Sequence, residues 1–293
     1  MKYHDIITRD LFNKIHLNQI NTSGFKRISN ILSEKNMRLP KNYFKDKVCA
    51  DLGCGSTGVG ALNLLNLGAK EVHLMDMKKH IISPLKKNLS KYKGKFKIHI
   101  GSLEKLPFNS KKFDFVLCQN VIHHMDKDKK AFKEIYRVLK KRGKSHISVQ
   151  GNGGLVPKIM YEVIIPEYKS NKLVKKLLNE IIDGKIKKYK KYYETNLDQN
   201  GKKIYRFLKK HFDKDFLLTM QDRVLSPNYY QYDKKDLLKR LKKIGFTNIY
   251  RIKKKVKFSN IRSLLSPMYL NYDHIISRVL YGDGDIGLIL TKK

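Results

Sequence analysis

The chain has 293 residues, 41% of them apolar and 30% charged, with 63 Lys and Arg against 26 Asp and Glu for a formal net charge of +37. That length supports one sizeable domain with a buried core, and no apolar run reaches the roughly 18 residues that a membrane span requires. The opening residues Met1-Lys2-Tyr3-His4-Asp5 run into a helical pattern, not an apolar signal core, so the expected location is the cytoplasm.

The charge fits a nucleic acid, an anionic membrane surface or an acidic substrate. It also fits a lysine-rich solvated surface, and that is our first reading. The lysines are spread along almost the whole chain and far outnumber the arginines, whereas bidentate recognition of phosphates and bases favours Arg. Cys49 and Cys118 sit in apolar runs and read as small core hydrophobes, not as a disulfide frame or a zinc site. No metal site is expected.

Residues 1–40 read as a helical lead-in. Ile6, Ile7, Leu11, Phe12 and Ile15 recur at spacings of three to four, as do Phe25, Ile28, Ile31 and Leu32, and Pro40 ends the section. From 46 to 150 strands and helices alternate. Val48–Leu52 is a strand, Val59–Leu67 a helix closed by Gly68, and Glu71–Asp76 a second strand. Lys79–Tyr92 reads as a helix with Pro84 in its first turn. Phe96–Ile100 and Phe113–Cys118 are the third and fourth strands. Lys130–Lys140 is a helix ended by Gly143, and Ser145–Val149 is the fifth strand. This order predicts an α/β fold, a parallel sheet with helices on both faces, whose strands present their carboxyl ends on one edge.

After Gly151-Asn152-Gly153-Gly154 the alternation stops. Residues 151–232 read as a mainly helical insertion covering that edge. It carries the amphipathic stripe Leu173, Val174, Leu177, Leu178, Ile181 and Ile182, and a lysine- and tyrosine-rich stretch, Lys185–Tyr193. Residues 233–293 hold a helix capped by Asp233 and Gly245 and two last strands, Thr247–Phe258 and Asp285–Leu290.

The chemistry gathers at the strand ends. In Asp51-Leu52-Gly53-Cys54-Gly55-Ser56-Thr57-Gly58 the glycines allow a tight turn and a close approach to a ligand at the start of a helix. Alone, such a turn also suits a dinucleotide or a plain connection. Asp51 discriminates, because a carboxylate there repels a pyrophosphate and suits a ligand with a cationic amino acid portion. Asp76, ending the second strand, can accept both hydroxyl hydrogens of a ribose. Three further segments follow: Gly101-Ser102-Leu103-Glu104-Lys105-Leu106-Pro107-Phe108, then Phe113 to Met125, then Ala131 to Lys140 running into Lys141-Arg142-Gly143.

In this order and spacing the segments resemble the class I S-adenosylmethionine-dependent methyltransferases, most closely the branch acting mostly on small molecules. The likeness covers residues 46–150 and extends to 222–250 through Asp222, Pro227, Tyr229 and Gly245-Phe246. It implies a Rossmann-like, seven-stranded, mostly parallel sheet with one antiparallel strand inserted by a hairpin. It implies S-adenosylmethionine as cofactor and S-adenosylhomocysteine as product. Asp51, Gly53 and Gly55 would contact the methionine part, Asp51 through the amino group. Asp76 would hold the ribose hydroxyls and Met77 would pack on the adenine. Ser102 stands where the family usually has an Asp that accepts from the adenine amine, and Leu103 could offer its backbone N–H to the ring. Gln119 and Asn120 would lie beside the sulfonium. Ser56-Thr57 makes the glycine turn one residue longer than the common form.

Methyl transfer is an in-line displacement that neutralises charge, so placing the nucleophile supplies most of the acceleration. A general base is needed only for a poorly acidic acceptor. His123 and His124 are the candidates, although either could simply pack or cap the loop. Tyr229, Tyr230 and Tyr232 could line the acceptor pocket or be core aromatics. A small-molecule or lipid-intermediate acceptor under a lid is the first reading. A nucleic-acid acceptor is the second, favoured by the charge. Against it stand the lack of an Asn-Pro-Pro-Tyr-type element or Cys nucleophile after the fourth strand, and of a separate RNA-binding signature. A non-catalytic binding protein is disfavoured by the presence of Asp51 and Asp76. A nicotinamide dehydrogenase is disfavoured by Asp51 and Leu106-Pro107-Phe108.

Overall fold

The computed structural model describes residues 11, 31–77, 79–182, 198–211, 214–226, 229–252 and 274–293. Most of the helical lead-in, the stretch Lys185–Tyr193, Pro227 and the far half of Thr247–Phe258 lie outside the described residues.

Seven strands form one sheet: β1 (Val48–Leu52), β2 (Glu71–Asp76), β3 (Phe96–Ile100), β4 (Phe113–Gln119), β5 (Leu139–Gln150), β6 (Phe246–Arg251) and β7 (Asp285–Lys292). Their spatial order is β3-β2-β1-β4-β5-β7-β6. The pairs from β3 to β5 are parallel, while β7 runs antiparallel to both β5 and β6. The chain therefore reverses its direction of travel across the sheet between β1 and β4. The carboxyl ends there open a crevice, the usual ligand position in such sheets.

Alternation along the strands divides the core in two. Ala50, Leu52, Val116 and Cys118 face one layer with Phe132, Ile135, Leu237 and Leu241. Cys49, Phe115 and Leu117 face the other with Phe44, Leu64 and Leu85. All three cysteines are buried and free. The first layer is supplied by α4 (Asp128–Val138) and α10 (Lys234–Ile244), the second by α2 (Val59–Asn66), α3 (Ile82–Asn88) and the segment after the short helix α1 (Glu34–Met37).

Three elements differ from the expected ones. The helix read as Lys130–Lys140 is α4, Asp128–Val138, and Leu139 already belongs to β5. Gly143 does not end a helix. It lies inside β5, where Phe113 pairs with Leu139 but Phe115 with Lys144. A Cβ at Gly143 would stand 2.9 Å from the carbonyl of Lys140 and 3.1 Å from that of Phe113, so the bulge needs glycine. The helix read as Lys79–Tyr92 is α3 flanked by 3-10 turns at Lys79–Ile81 and Ser90–Tyr92. Pro84 sits in the first turn of α3, where its missing N–H costs no helical bond.

Between β5 and β6 lie α5 (Leu155–Ile159), a π-helical turn (Met160–Ile164), α6 (Ile165–Ser170), α7 (Lys172–Ile182), α8 (Gln199–His211) and α9 (Lys214–Leu225). Then come α10, β6, α11 (Ile275–Tyr281) and β7. Asp233 caps α10 by accepting from the Asp236 N–H at 3.0 Å, and Gly245 closes it at φ 114°. The helix buries Leu237 and Leu241, one turn apart, against the first core layer. Asp233→Ala is expected to lower stability by about 1 kcal/mol, the usual worth of a lost N-cap, read as a shift of the urea midpoint with an unchanged m-value.

Candidate active site

Three backbone bonds fasten the glycine turn to the end of β2. Gly53 and Cys54 donate to the carbonyl of Met75 at 2.7 and 3.2 Å. Gly55 donates to Asp76 Oδ2 at 3.0 Å, and Asp76 Oδ1 accepts from the Met77 N–H at 2.7 Å. Gly53 holds φ 72°, and a Cβ there would stand 2.3 Å from Val121. Glycine thus lets the turn close on the exit of β4. The pair Ser56-Thr57 is buried, and its carbonyls accept from Asn88 Nδ2 at 3.4 and 3.2 Å.

Asp51 lies beneath this turn, only 4% exposed, and its Oδ2 accepts from the Ala61 N–H at 2.8 Å. Burial pushes its carboxyl up from 3.8 to about 7. The Ala61 bond opposes that rise, and the charge of Asp76 adds to it. No cation pairs with Asp51 among the described residues.

After β3, Ser102 Oγ accepts from the Glu104 N–H at 3.2 Å and Leu103 is buried. The following Leu106-Pro107-Phe108 is clamped by α4. Glu134 Oε2 accepts from the Leu106 N–H at 2.7 Å, while Arg137 donates to the carbonyls of Phe108 (2.7 Å) and Leu106 (3.1 Å). Arg137 also pairs with both oxygens of Glu134 at 2.7 and 2.8 Å, a charge-assisted fork that fixes the loop's path.

After β4, Gln119 is half-buried and Asn120 is exposed in the left-handed region at φ 57°. Ser148 holds Asn120 there, its Oγ accepting from the Asn120 N–H at 3.1 Å and donating to Oδ1 at 2.9 Å. His123 and His124 follow in a 3-10 turn, Ile122–His124. His123 is 3% exposed, and its Nδ1 has no hydrogen-bond partner among the described residues. Burial first, then His124 and Arg223, hold it well below the usual imidazole range, so it is neutral. His124 reaches out of the loop to α9. Its Nδ1 lies 3.1 Å from Ser226 Oγ and its Nε2 lies 3.6 Å from Asp222 Oδ1.

The three tyrosines part company. Tyr229 packs on His123 and His124 at 4.9 and 5.1 Å between ring centres, and its hydroxyl donates to Gln150 Oε1 at 3.4 Å. Tyr230 is 45% exposed and donates to Asp126 at 3.0 Å. Tyr232 is a core aromatic beside Phe132, and its hydroxyl donates to Asp128 at 3.0 Å. Tyr230 and Tyr232 line a separate cleft of about 390 Å³ with Asp126, Asp128, Asp236 and Arg240. Two neighbours of the His123 cluster were not anticipated. Gln150 could have been found as the last residue of β5 at the ligand edge. Tyr161 stacks on Tyr229 at 5.4 Å but comes from the π-helical turn, which leaves no local signal.

An open sheet in this order, with β7 alone reversed and one acid ending each of β1 and β2, defines a Rossmann-like cofactor-binding domain of the methyltransferase kind. Residues 50–147 match the protein family described as "Methyltransferase domain", so this third of the chain carries a methyltransferase domain. A tRNA U34 carboxymethyltransferase of Campylobacter curvus is 28% identical over 134 residues. That match covers 44% of this chain and 45% of that protein, so the chain matches less than half the length of this curated relative. Among solved structures, a chain of the complex between the Haloferax volcanii Trm112 methyltransferase activator and its methyltransferase superposes with TM-score 0.53 at 11% identity, covering 97% of this chain and 96% of that one. An S-adenosylmethionine-dependent methyltransferase of Mesorhizobium loti gives 0.50 at 12% identity, covering 87% and 94%. At such identities these two show the fold alone.

Asp51 also ties the site to stability. A carboxyl raised from 3.8 to about 7 binds its proton more tightly folded than unfolded. Its contribution is complete below about pH 4 and is lost as pH rises to about 7. The stability of the wild type minus that of Asp51→Asn should therefore fall across that window in chemical denaturation, and a flat difference would contradict the burial.

Proposed function

We propose that this protein transfers a methyl group from S-adenosylmethionine to a small-molecule or lipid-intermediate acceptor enclosed between the sheet edge and the 151–232 insertion. The observation that carries this reading is the packed cluster of His123, His124, Tyr161 and Tyr229, covered by the end of α9 and the π-helical turn. A roofed cluster suits an acceptor small enough to be enclosed. A bulky polymer would need that roof displaced.

The residues present suit the cofactor. Asp51 is a buried carboxylate without a protein counter-cation among the described residues, and an ammonium group would neutralise it. Each Asp76 oxygen accepts one backbone N–H and keeps a lone pair for a ribose hydroxyl. In this proposal Gly53 and Gly55 line the methionine portion, Met77 packs on the adenine, and Ser102 and the Leu103 N–H meet its edge. Gln119 and Asn120 stand beside the sulfonium. The bound cofactor supplies a methyl group activated on a sulfonium.

The protein's own work is positioning. Ser148 locks Asn120, the clamp of Glu134 and Arg137 sets the loop over Phe108, and α9 with the π-helical turn excludes water. The neutral imidazole of His123, with Nδ1 unpartnered among the described residues, can accept a hydrogen bond from the acceptor and orient it. His124, held by Ser226 and Asp222, acts as a bolt between the loop and the roof. Tyr229 belongs to the acceptor side. Tyr230 and Tyr232 do not, because they serve the separate acidic cleft.

A second reading, methylation of RNA, is favoured by the net charge of +37 and by the tRNA-modifying relative. Incubating a cell extract with methyl-labelled cofactor separates the two. Label is expected in the small-molecule and lipid fraction, and label confined to RNA would reverse the ranking. In the same assay His123→Phe is expected to abolish most transfer while cofactor affinity stays within about twofold, since a residue off the cofactor contributes little to its binding.

Asp76→Ala is expected to weaken cofactor binding by more than about 1 kcal/mol, the loss of a charged hydrogen-bond partner, measured by calorimetry. Wild-type affinity should rise as pH increases through about 7, where Asp51 becomes ionised and can pair with the ammonium group. Asp51→Asn should bind weakly without that dependence.

A further inference from the structure

Two cap helices leave apolar side chains in water. Leu173 and Leu177 of α7 are 63% and 50% exposed, and Ile204 and Phe207 of α8 are 61% and 48% exposed. The spacings are four and three, so each pair shares one helical face. The opposite side of α7 packs on α6 and α9, which fixes its outward direction. The charge beside these groups is one-sided. Helix α7 carries three lysines and one acid, and α8 carries five basic residues and no acid.

We propose that the outward faces of α7 and α8 form a docking surface for an anionic phospholipid bilayer. An amphipathic helix with exposed aliphatic groups flanked by cations gains twice at such a surface. Its apolar side chains enter the boundary of the acyl region, and its lysines meet the headgroup charge. Single-stranded nucleic acid fits the face less well, because bases stack on aromatic rings and guanidinium planes, and three of the four exposed groups here are aliphatic. A second copy of this chain fits poorly too, since pairing the face with itself would juxtapose like charges. The net charge of +37 adds long-range attraction to the same lipids. Docking does not depend on which acceptor the site takes.

The test is flotation of the full chain with vesicles of phosphatidylcholine alone and of equal parts phosphatidylcholine and phosphatidylglycerol. The protein is expected to float with the mixed vesicles and not with the neutral ones. Leu177→Glu and Phe207→Glu should each cut the bound fraction about tenfold, as removal of a buried apolar anchor does, with cofactor affinity unchanged. The double charge reversal Lys176→Glu and Lys203→Glu, at two exposed positions, should do the same. No flotation with mixed vesicles, equal flotation with neutral ones, or flotation that survives all these variants would overturn the proposal. So would retention on RNA, lost in the same variants, without any flotation.

Discussion

The contact between the glycine turn and the end of β2 organises the ligand edge. Two strands that are neighbours in the sheet but lie about twenty residues apart in sequence are joined there by their carboxyl ends, not only by their ladder. The carbonyl of Met75 and the carboxylate of Asp76 accept from Gly53, Cys54 and Gly55. The turn is thereby held in the left-handed conformations that only glycine adopts cheaply. Its path in turn sets where α2 begins and so where Ala61 offers its N–H to Asp51. The position of the buried carboxylate follows from that one junction, and its burial raises its proton affinity.

A second junction closes the other side of the crevice. The 3-10 turn after β4 carries two histidines whose rings pack at 4.2 Å between centres. The ring of His123 is neutral by burial, and that of His124 is tied to Ser226 and Asp222. The end of α9 and the sheet edge are therefore coupled through two adjacent residues. A displacement of α9 would be felt at His123 through the backbone that it shares with His124.

Several acids of this strongly basic chain serve as backbone acceptors. Glu34 accepts from Asn42 and Phe44, Asp114 from Val48, Glu134 from Leu106, and Asp283 from Lys234. Carboxylate-to-amide bonds of this kind are charge-assisted and fix loops that no strand or helix fixes. With many of the 26 acids engaged in this way, most of the 63 cations are left to solvent or to an external anion. The single sign of α7 and α8 comes from their own composition, one acid in the first and none in the second.

The sequence by itself determined the alternating core, because strand and helix periods and capping residues are local properties. Asp233, Gly245 and the strand ends at Asp51 and Asp76 could be read in one dimension. The methyltransferase class was equally legible, since its marks sit at strand ends whose spacing is set by the helices between them. Tertiary structure alone decided the rest. Gly143 looks like a helix stop locally, yet it serves a bulge against the carbonyl of Phe113. Tyr229 and Tyr232 are three residues apart and alike in sequence. They face different neighbours because one meets His123 and the other Asp128, residues brought there by β4 and α4. Tyr161 joins the site only because a helix returns over the sheet edge. Which side chains meet across such a return depends on the summed packing of distant segments, and no local pattern encodes that sum.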